Sequence, residues 1–292
     1  MILFFQQLVN GLMLGSTYSL VAIGYTLILG TLNLLHFAHG EVFMMGAFFG
    51  LLMVLFWKVN FYVAILGGML GAALVGILVE VLAVRPIKKG QHLAPLISTI
   101  GVTIILQEAA HYFSGGEPLS FPETVTVTNF DLGGIRINSV QITIFAISVL
   151  LMFVLHLFVK NTKMGKAMRA TAESPTTATL LGISVNQVTI ATFFIASALA
   201  GASGVLVGLS YNAVTPGMGV PMAIKGFAIM LLGGLGNIYG AMIGGLIVGG
   251  VEILSVGYLA SSYRDAFTFG LMILILIFRP SGILGVSLSK RA

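Results

Sequence analysis

Residues 226–254 read GFAIMLLGGLGNIYGAMIGGLIVGGVEIL, an apolar run interrupted by a glycine-rich polar segment at 233–240. The run has 29 residues, whereas about 20 apolar helical residues cross the hydrocarbon core of a bilayer. Four glycines in the interruption free the backbone to turn where helical hydrogen bonds stop. The stretch therefore predicts a broken helix or a re-entrant hairpin inside a membrane protein.

The composition of the whole chain supports a membrane protein. Its 292 residues are 58% apolar and 8% charged, with a mean hydropathy of +1.06, whereas soluble proteins carry roughly a quarter charged residues. A cytosolic enzyme and a secreted module are thereby excluded. The absence of cysteine excludes disulfide scaffolds and iron–sulfur clusters. The net charge is +5, but no basic stripe with interleaved aromatics accompanies it, so no nucleic-acid partner is expected.

Further apolar runs set the number and direction of the crossings. They lie near residues 8–29, 41–57, 61–83, 93–113, 139–159 and 188–209. The first run lacks a basic leading region, so we expect a retained span rather than a cleaved signal. Ten of the 14 basic residues lie in three stretches that the positive-inside rule places in the cytoplasm, namely 85–89, 160–169 and 279–291. The N-terminus is then outside, the loop at about 114–138 is external, and the C-terminus is cytoplasmic.

The same count constrains the C-terminal third. Tyr211 falls outside and Arg279 inside, so an odd number of crossings separates them, and a last span near 263–278 supplies one. The stretch 226–254 must contribute an even number, which agrees with a hinge at 233–240. We expect an all-α polytopic membrane protein with about eight or nine transmembrane helices, forming a single domain over residues 1–292.

The N-terminal third contains a similar interruption at residues 33–41, between two apolar runs. Paired interruptions in the two halves of a transporter often border the substrate route. The candidate path or gate residues are Asn33, His39, Glu41 and Asn237. Ordinary tight turns at the membrane surface are the alternative, and an internal repeat is indicated without being demonstrated.

Few titratable residues lie in or between the spans. His36, His39 and Glu41 lack the His-Glu-x-x-His pattern of metallopeptidases, so no metal is predicted; they either hold the interrupted backbone or are ordinary interfacial residues. Glu80, close to Arg85, is expected to be a snorkelling or paired charge at the interface. The depth of Glu252 is left open by the sequence, and its candidate partner is Lys225.

The external loop alternates valine and threonine at 124–128, turns near Gly133 and Gly134, and continues as Ile-Arg-Ile. Period-two alternation around a glycine turn predicts a small β-hairpin. Such a hairpin either touches an external protein or serves as a spacer.

A long loop at about 160–187 reads KNTKMGKAMRATAESPTTATLLGISVNQ. Ser174 before Pro175 predicts the N-cap and first turn of a short helix, which Gly182 can end. Leu180 and Leu181, with small alanine and threonine side chains, make a face suited to another protein. The alternative is a basic interfacial helix held by anionic lipid.

Four blocks resemble the permeases of branched-chain amino acid ABC importers, most of all their H-type subunits. Residues 15–26 and 37–42 resemble the first span and its Asn-Phe-Ala-His-Gly motif, residues 232–236 and 240–245 the late glycine-rich segment, and residues 280–285 the C-terminal segment. The loop at 165–183 resembles the segment that couples these permeases to their ATPases. The coupling residues implied by that resemblance are Gly165, Arg169, Ala172, Glu173, Ala178 and Gly182.

The resemblance runs from end to end and implies a complete assembly. It implies a homologous second permease, two cytoplasmic ABC ATPases, a periplasmic or extracellular amino-acid-binding protein that delivers Leu, Ile or Val, and a bacterial inner membrane. The chain contains no Gly-x-x-x-x-Gly-Lys-Ser/Thr loop, so ATP hydrolysis is expected on the partners, and no cofactor or enzymatic role is predicted. Two departures, His36 where Asn is usual and Tyr239 where Pro is frequent, bear on substrate range.

Two other classes of function were weighed. An ion-coupled secondary amino-acid transporter would bury carboxylates near the middle of the bilayer and would work alone. An intramembrane metalloenzyme would bind metal through His36 or His39. A permease driven by separate ATPases is the reading that the sequence favours.

Overall fold

The computed structural model describes residues 2–87, 93–122, 125 and 127–285. Within these residues the helices are α1 (Ile2–Leu32), α2 (His39–Trp57), α3 (Phe61–Val79, extended by a π-turn at Glu80–Val84), α4 (Ala94–Ser114), α5 (Ser139–Asn161), α6 (Lys163–Glu173), α7 (Pro175–Leu180), α8 (Val185–Tyr211), α9 (Gly219–Gly233), α10 (Ile238–Tyr258) and α11 (Arg264–Phe278). Eight of them, counting α3 with its π-turn and α11 with the 3-10 turn Ser261–Tyr263, are long and apolar enough to cross a membrane. The all-α polytopic prediction is confirmed.

The centre of the bundle is built on backbone contacts between glycines. α1 packs most extensively against α10, and α8 against α3. A Cβ on Gly15 would lie 2.7 Å from the carbonyl oxygen of Gly245, and one on Gly201 would lie 2.5 Å from that of Gly68. Lipid supplies no hydrophobic drive between helices, so close approach with dispersion contacts holds such pairs together.

The two halves of the bundle pack reciprocally. In each half a long helix, α1 or α8, is followed by a break and then by a helix that begins inside the bundle, α2 or α9. The long helix of each half packs on the third helix of the other, because α1 pairs with α10 and α8 with α3. This arrangement is the one expected of an internal repeat.

The predicted break in the C-terminal third is present. α9 ends at Gly233 and α10 begins at Ile238, and the turn between them contains Gly234 with φ +109° and Gly236 with φ +77°. The Asn237 side chain accepts a hydrogen bond from the Gly240 N–H at 3.1 Å and caps α10. With 15 residues, α9 is about 22 Å long, shorter than the hydrocarbon core.

Two boundaries differ from the sequence expectation. The N-terminal interruption covers residues 33–38 only, so His39 and Glu41 lie in the first turn of α2. That turn accepts polar side chains because its N–H groups have no helical partners and its dipole favours a carboxylate. A further break at 212–218, between α8 and α9, was not predicted from the sequence.

The long loop forms two capped helices. Thr162 caps α6, and Ser174 caps α7 by accepting a hydrogen bond from the Thr177 N–H at 3.2 Å, with Pro175 in the first turn. Gly182 has φ +82° where the chain turns toward α8. The predicted cap and turn are confirmed. We call the end of the bundle that carries α6, α7 and the 234–237 turn the basic end.

At the opposite end, strands β2 (Asn129–Leu132) and β3 (Ile135–Asn138) form an antiparallel hairpin around Gly133 and Gly134. The predicted hairpin is confirmed, but its first strand is not the valine–threonine run, of which residues 124 and 126 lie outside the described residues. The turn at Gly133 and Gly134 sets the pairing register of β2 and β3, which are of equal length. A second short ladder joins β1 (Leu119–Ser120) to β4 (Ala213–Val214).

Candidate functional site

Three glutamates are buried in the described part of the chain, and they differ in their partners. Glu80 pairs with Arg85 at 2.7 Å, and Glu252 pairs with Lys225 at 3.1 Å. Both pairs agree with the sequence expectation. Glu41 is 1% exposed, and neither of its carboxylate oxygens has a hydrogen-bond partner there. A buried polar group without a partner is costly and is a strong indicator of function.

Glu41 lies where two broken segments meet. It is in the first turn of α2, against Gly219, the first residue of α9. A Cβ on Gly219 would lie 2.5 Å from Glu41 Oε2 and 2.7 Å from the Gly40 carbonyl oxygen. A Cβ on Gly40 would in turn overlap the Gly219 carbonyl oxygen. The two helix starts therefore touch backbone to backbone around the carboxylate.

The depth of this junction follows from α1. A Cβ on Gly24 would overlap the His39 ring, so the two residues are level in the bundle. Gly24 is eight residues before the end of α1 at Leu32, about 12 Å along that helix, and Gly219 is about 21 Å before the end of α9 at Gly233. The junction therefore lies inside the bundle, away from both of its ends.

Aromatic and imidazole rings surround the junction. His39 meets the edge of Tyr25 with centroids 4.6 Å apart, and His36 lies 5.9 Å from His39 and 5.1 Å from Phe193. Both ring nitrogens of His36 are buried without hydrogen-bond partners in the described residues. The junction thus combines unpartnered polar atoms with an apolar surround.

The outer wall of the junction is formed by the 33–38 break itself. The Phe37 N–H donates to Thr99 Oγ1 at 3.3 Å, and the Phe37 ring stacks on Phe227 with centroids 6.2 Å apart. Phe37 is 38% exposed, and Phe227 lies in turn 6.5 Å from Tyr25 between ring centroids, which connects the break to the rings around His39. An opening of the break would give a passing solute a carboxylate, two imidazoles and the N-termini of two helices.

No metal centre is found in the described residues, where no three His, Cys, Asp or Glu side chains are grouped to hold an ion. His36, His39 and Glu41 are neighbours, but their placement does not make a ligand set. The chemistry that the arrangement can perform is the transient holding of a polar or charged solute.

The structure divides the four predicted path residues into two groups. His39 and Glu41 lie at the junction. Asn33, exposed and with φ +51°, lies just beyond the end of α1, and Asn237 caps α10 at the basic end. The structure does not bring these asparagines to the carboxylate.

Several residues of the junction were missed by the sequence analysis, namely Tyr25, Thr99, Phe193, Gly219 and Phe227. For Gly219 a signal was available, because residues 216–221 read PGMGVP, a run of prolines and glycines typical of a break. The aromatic and threonine residues carried no such signal, since similar side chains occur along most of the spans.

The residues predicted for ATPase coupling lie in the α6–α7 segment. Gly165 and Ala178 are buried, whereas Arg169, Ala172, Glu173 and Gly182 are exposed. Arg169 Nη1 donates to the Val159 carbonyl oxygen at 2.6 Å and so fixes α6 on the end of α5. At the tip of α7, Leu180 is 83% exposed and Leu181 74%.

Comparison with known proteins gives consistent matches. The family described as "Branched-chain amino acid transport system / permease component" matches residues 7–276. The high-affinity branched-chain amino acid transport system permease protein BraD of Pseudomonas aeruginosa is 40% identical, over 97% of this chain and 96% of its own length. The corresponding LivH protein of Escherichia coli (strain K12) is 37% identical over the same shares.

A more distant similarity is also present. The permease protein LivM of Escherichia coli (strain K12), from the high-affinity branched-chain amino acid transport system, is 27% identical over 91% of this chain and 67% of its own length. No solved structure matches the chain. The family match, the 37–40% identities over nearly the whole length and the polytopic helical fold together establish that the chain belongs to the family of branched-chain amino acid transport system permease components.

Proposed function

We propose that this chain is the permease subunit of an ATP-driven importer of branched-chain amino acids. It forms the translocation path with a homologous second permease, and two cytoplasmic ABC ATPases drive it. A periplasmic or extracellular binding protein delivers the amino acid. The similarity to both LivH and LivM supports a core of two related permeases.

The orientation belongs to the same proposal. The N-terminus and the hairpin at 129–138 face outward, whereas the α6–α7 segment and the C-terminus face the cytoplasm of a bacterium. Described basic residues at the basic end, including Arg85, Lys160 and Arg279, support this direction under the positive-inside rule.

The observation that carries the proposal is the exposed apolar tip formed by Leu180 and Leu181. It follows two capped helices and precedes a glycine turn, and Arg169 fixes the preceding helix to α5. Exposed apolar patches on rigid supports mark sites of protein contact. We assign this tip to the ATPase, with Gly165, Arg169, Ala172, Glu173, Ala178 and Gly182 shaping and supporting it.

The translocation path is assigned to the junction. Glu41 and His39 contact the amino acid when the 33–38 break opens, and Asn33 and Asn237 border the inner exit. Substrate contact by Glu41 is supported by the absence, among the described residues, of any hydrogen-bond partner for its carboxyl oxygens.

The docking assignment is tested with Leu180→Glu/Leu181→Glu. Ala178 is buried, so a charge there would disturb the chain's own packing, whereas the two leucines can be replaced on the surface. The double variant should insert normally yet lose ATPase co-purification and leucine uptake in proteoliposomes. Gln187→Glu, an exposed isosteric change in the first turn of α8, is the matched control and should retain both. Normal uptake by the double variant would remove the tip from the mechanism.

The same proteoliposomes separate this proposal from an ion-coupled carrier. The chain alone, given a proton or sodium gradient, should accumulate no leucine. Accumulation without ATPases and ATP would refute the proposal.

A further inference from the structure

A cavity of about 640 Å³ opens at the basic end, away from the Glu41 junction. Its walls come from the ends of α5, α9 and α11, from α6, from the 234–237 turn with the start of α10, and from the segment after α11. We propose that this cavity binds the headgroup of an anionic phospholipid.

The charge of the cavity selects an anion. His156, Lys160 and Arg169 line it, and none of the described residues that line it is acidic. A zwitterionic headgroup or a free amino acid would bring an ammonium group, for which this described lining offers no carboxylate. A phosphodiester with net negative charge fits the basic lining, as in other basic pockets between membrane helices.

Two of the three basic side chains are held in place. Arg169 donates to the carbonyl oxygens of Val159 and Lys160, contacts that use at most three of its five N–H groups. Tyr239 OH and His156 Nδ1 are 2.8 Å apart, which joins α10 to α5 across the cavity lining. The remaining Arg169 donors are therefore preorganised, which lowers the entropic cost of binding.

The apolar part of the lining distinguishes a lipid from free phosphate. Val159, Leu231 and Leu276 form part of it. α5 and α11, which supply two of the walls, are membrane-crossing helices with exposed apolar side chains such as Leu157 and Ile277. Acyl chains can lie along these helices while the headgroup stays at the membrane surface. Inorganic phosphate would leave the apolar lining without a partner.

An occupant would touch both α6 and the 234–237 turn. It would thereby connect the proposed coupling segment to the break between α9 and α10. This consequence rests on the proposed function, whereas lipid binding itself does not.

Lipid binding is measured on the transporter purified together with its co-purifying subunits. Loosely bound lipid is removed by detergent exchange, and the lipid that remains is detected by native mass spectrometry. Dioleoylphosphatidylglycerol should be retained, and dioleoylphosphatidylcholine should not. Lys160→Gln should weaken retention about fivefold, the effect of one basic side chain at a membrane surface. Lys160→Glu, which reverses the charge, should abolish it.

The control is Lys163→Gln, which removes an exposed charge from α6 outside the cavity and should leave retention unchanged. Three results would overturn the assignment: equal loss in Lys163→Gln, equal retention of the two lipids, or displacement of the lipid by millimolar inorganic phosphate. A fully assembled transporter that retains no anionic lipid would overturn it as well, because a partner subunit would then fill the cavity.

Discussion

Lys225 of α9 and Glu252 of α10 form a buried ion pair, with Lys225 Nζ 3.1 Å from both carboxylate oxygens. Arg264 binds the same carboxylate, and Tyr18 OH donates to it at 2.8 Å. Glu252 lies six residues before the end of α10, and Arg264 is the first residue of α11, so the pair lies toward the end of the bundle that carries the hairpin. The short helix α9, whose first residue touches Glu41, is thus tied to α1, α10 and α11.

Removing the carboxylate should therefore destabilise the bundle. Glu252→Gln leaves the buried Lys225 with only the exposed Asp265 as a counter-charge and takes the carboxylate away from the partly exposed Arg264, at a cost of up to roughly 3–5 kcal/mol. The melting temperature in detergent, followed by size-exclusion chromatography of heated samples, should fall clearly. Asp265→Asn is the control, because Asp265 also pairs with Lys225 but is 65% exposed and should cost less than about 1 kcal/mol. An unchanged melting temperature for Glu252→Gln would contradict the role of the pair.

Replacing the Glu41 carboxylate should affect transport rather than stability, in contrast to Glu252. Glu41→Gln keeps the shape but replaces a buried carboxyl group that has no hydrogen-bond partner among the described residues, so stability should be unchanged or higher. Leucine uptake by the assembled transporter should fall about tenfold or more, the loss expected for a hydrogen bond to a charged group. Glu80→Gln provides the contrast, since it breaks the pair with Arg85 and should lower stability. Full uptake by Glu41→Gln would remove this carboxylate from the path.

The contact between the two helix starts should not tolerate a methyl group. Gly219→Ala would place its Cβ against Glu41 and the Gly40 backbone, so α2 and α9 would have to separate. We expect about 1–3 kcal/mol of destabilisation and loss of uptake. Gly101→Ala in α4 is the control, because nothing lies within 4 Å of its added Cβ. Thermal stability and uptake of the two variants are compared directly, and equal behaviour would argue against a tight junction.

The hairpin at 129–138 should loosen when its hydrogen bonds to α1 are removed. Gln6 Oε1 accepts from the Arg136 N–H at 2.7 Å, and Gln6 Nε2 donates to the Arg136 carbonyl at 2.9 Å. Gln6→Ala removes both bonds, each worth roughly 1 kcal/mol, so amide exchange in β3 should accelerate about thirtyfold. Exchange in α8 serves as the internal reference and should not change. Unaltered protection in β3 would show that other contacts hold the hairpin.

Much of the fold was predictable because bilayer thickness and charge placement act on each span separately. The break before Ile238 followed from the parity of crossings together with its glycines, whereas the sequence offered Lys225 only as a candidate partner of Glu252. The depth of the junction could not be predicted from the sequence. The number of residues needed to cross a bilayer does not locate the first residue of a helix that begins inside the bundle. For the same reason Asn33 and Glu41 were grouped together in the sequence, although the structure separates them.

Glycines of α1 and α10 touch backbone to backbone along a line that we call the glycine seam. This seam limits the substitutions that such a protein can accept. Where Gly15 lies against Gly245, neither helix offers a side chain that could be enlarged, trimmed or reshaped. The seam can slide as a unit or stay fixed, but substitutions cannot adjust it one methyl group at a time. Retuning of transport by evolution or by engineering must therefore fall on the breaks and on the rings beside them, where side chains still have volume to exchange.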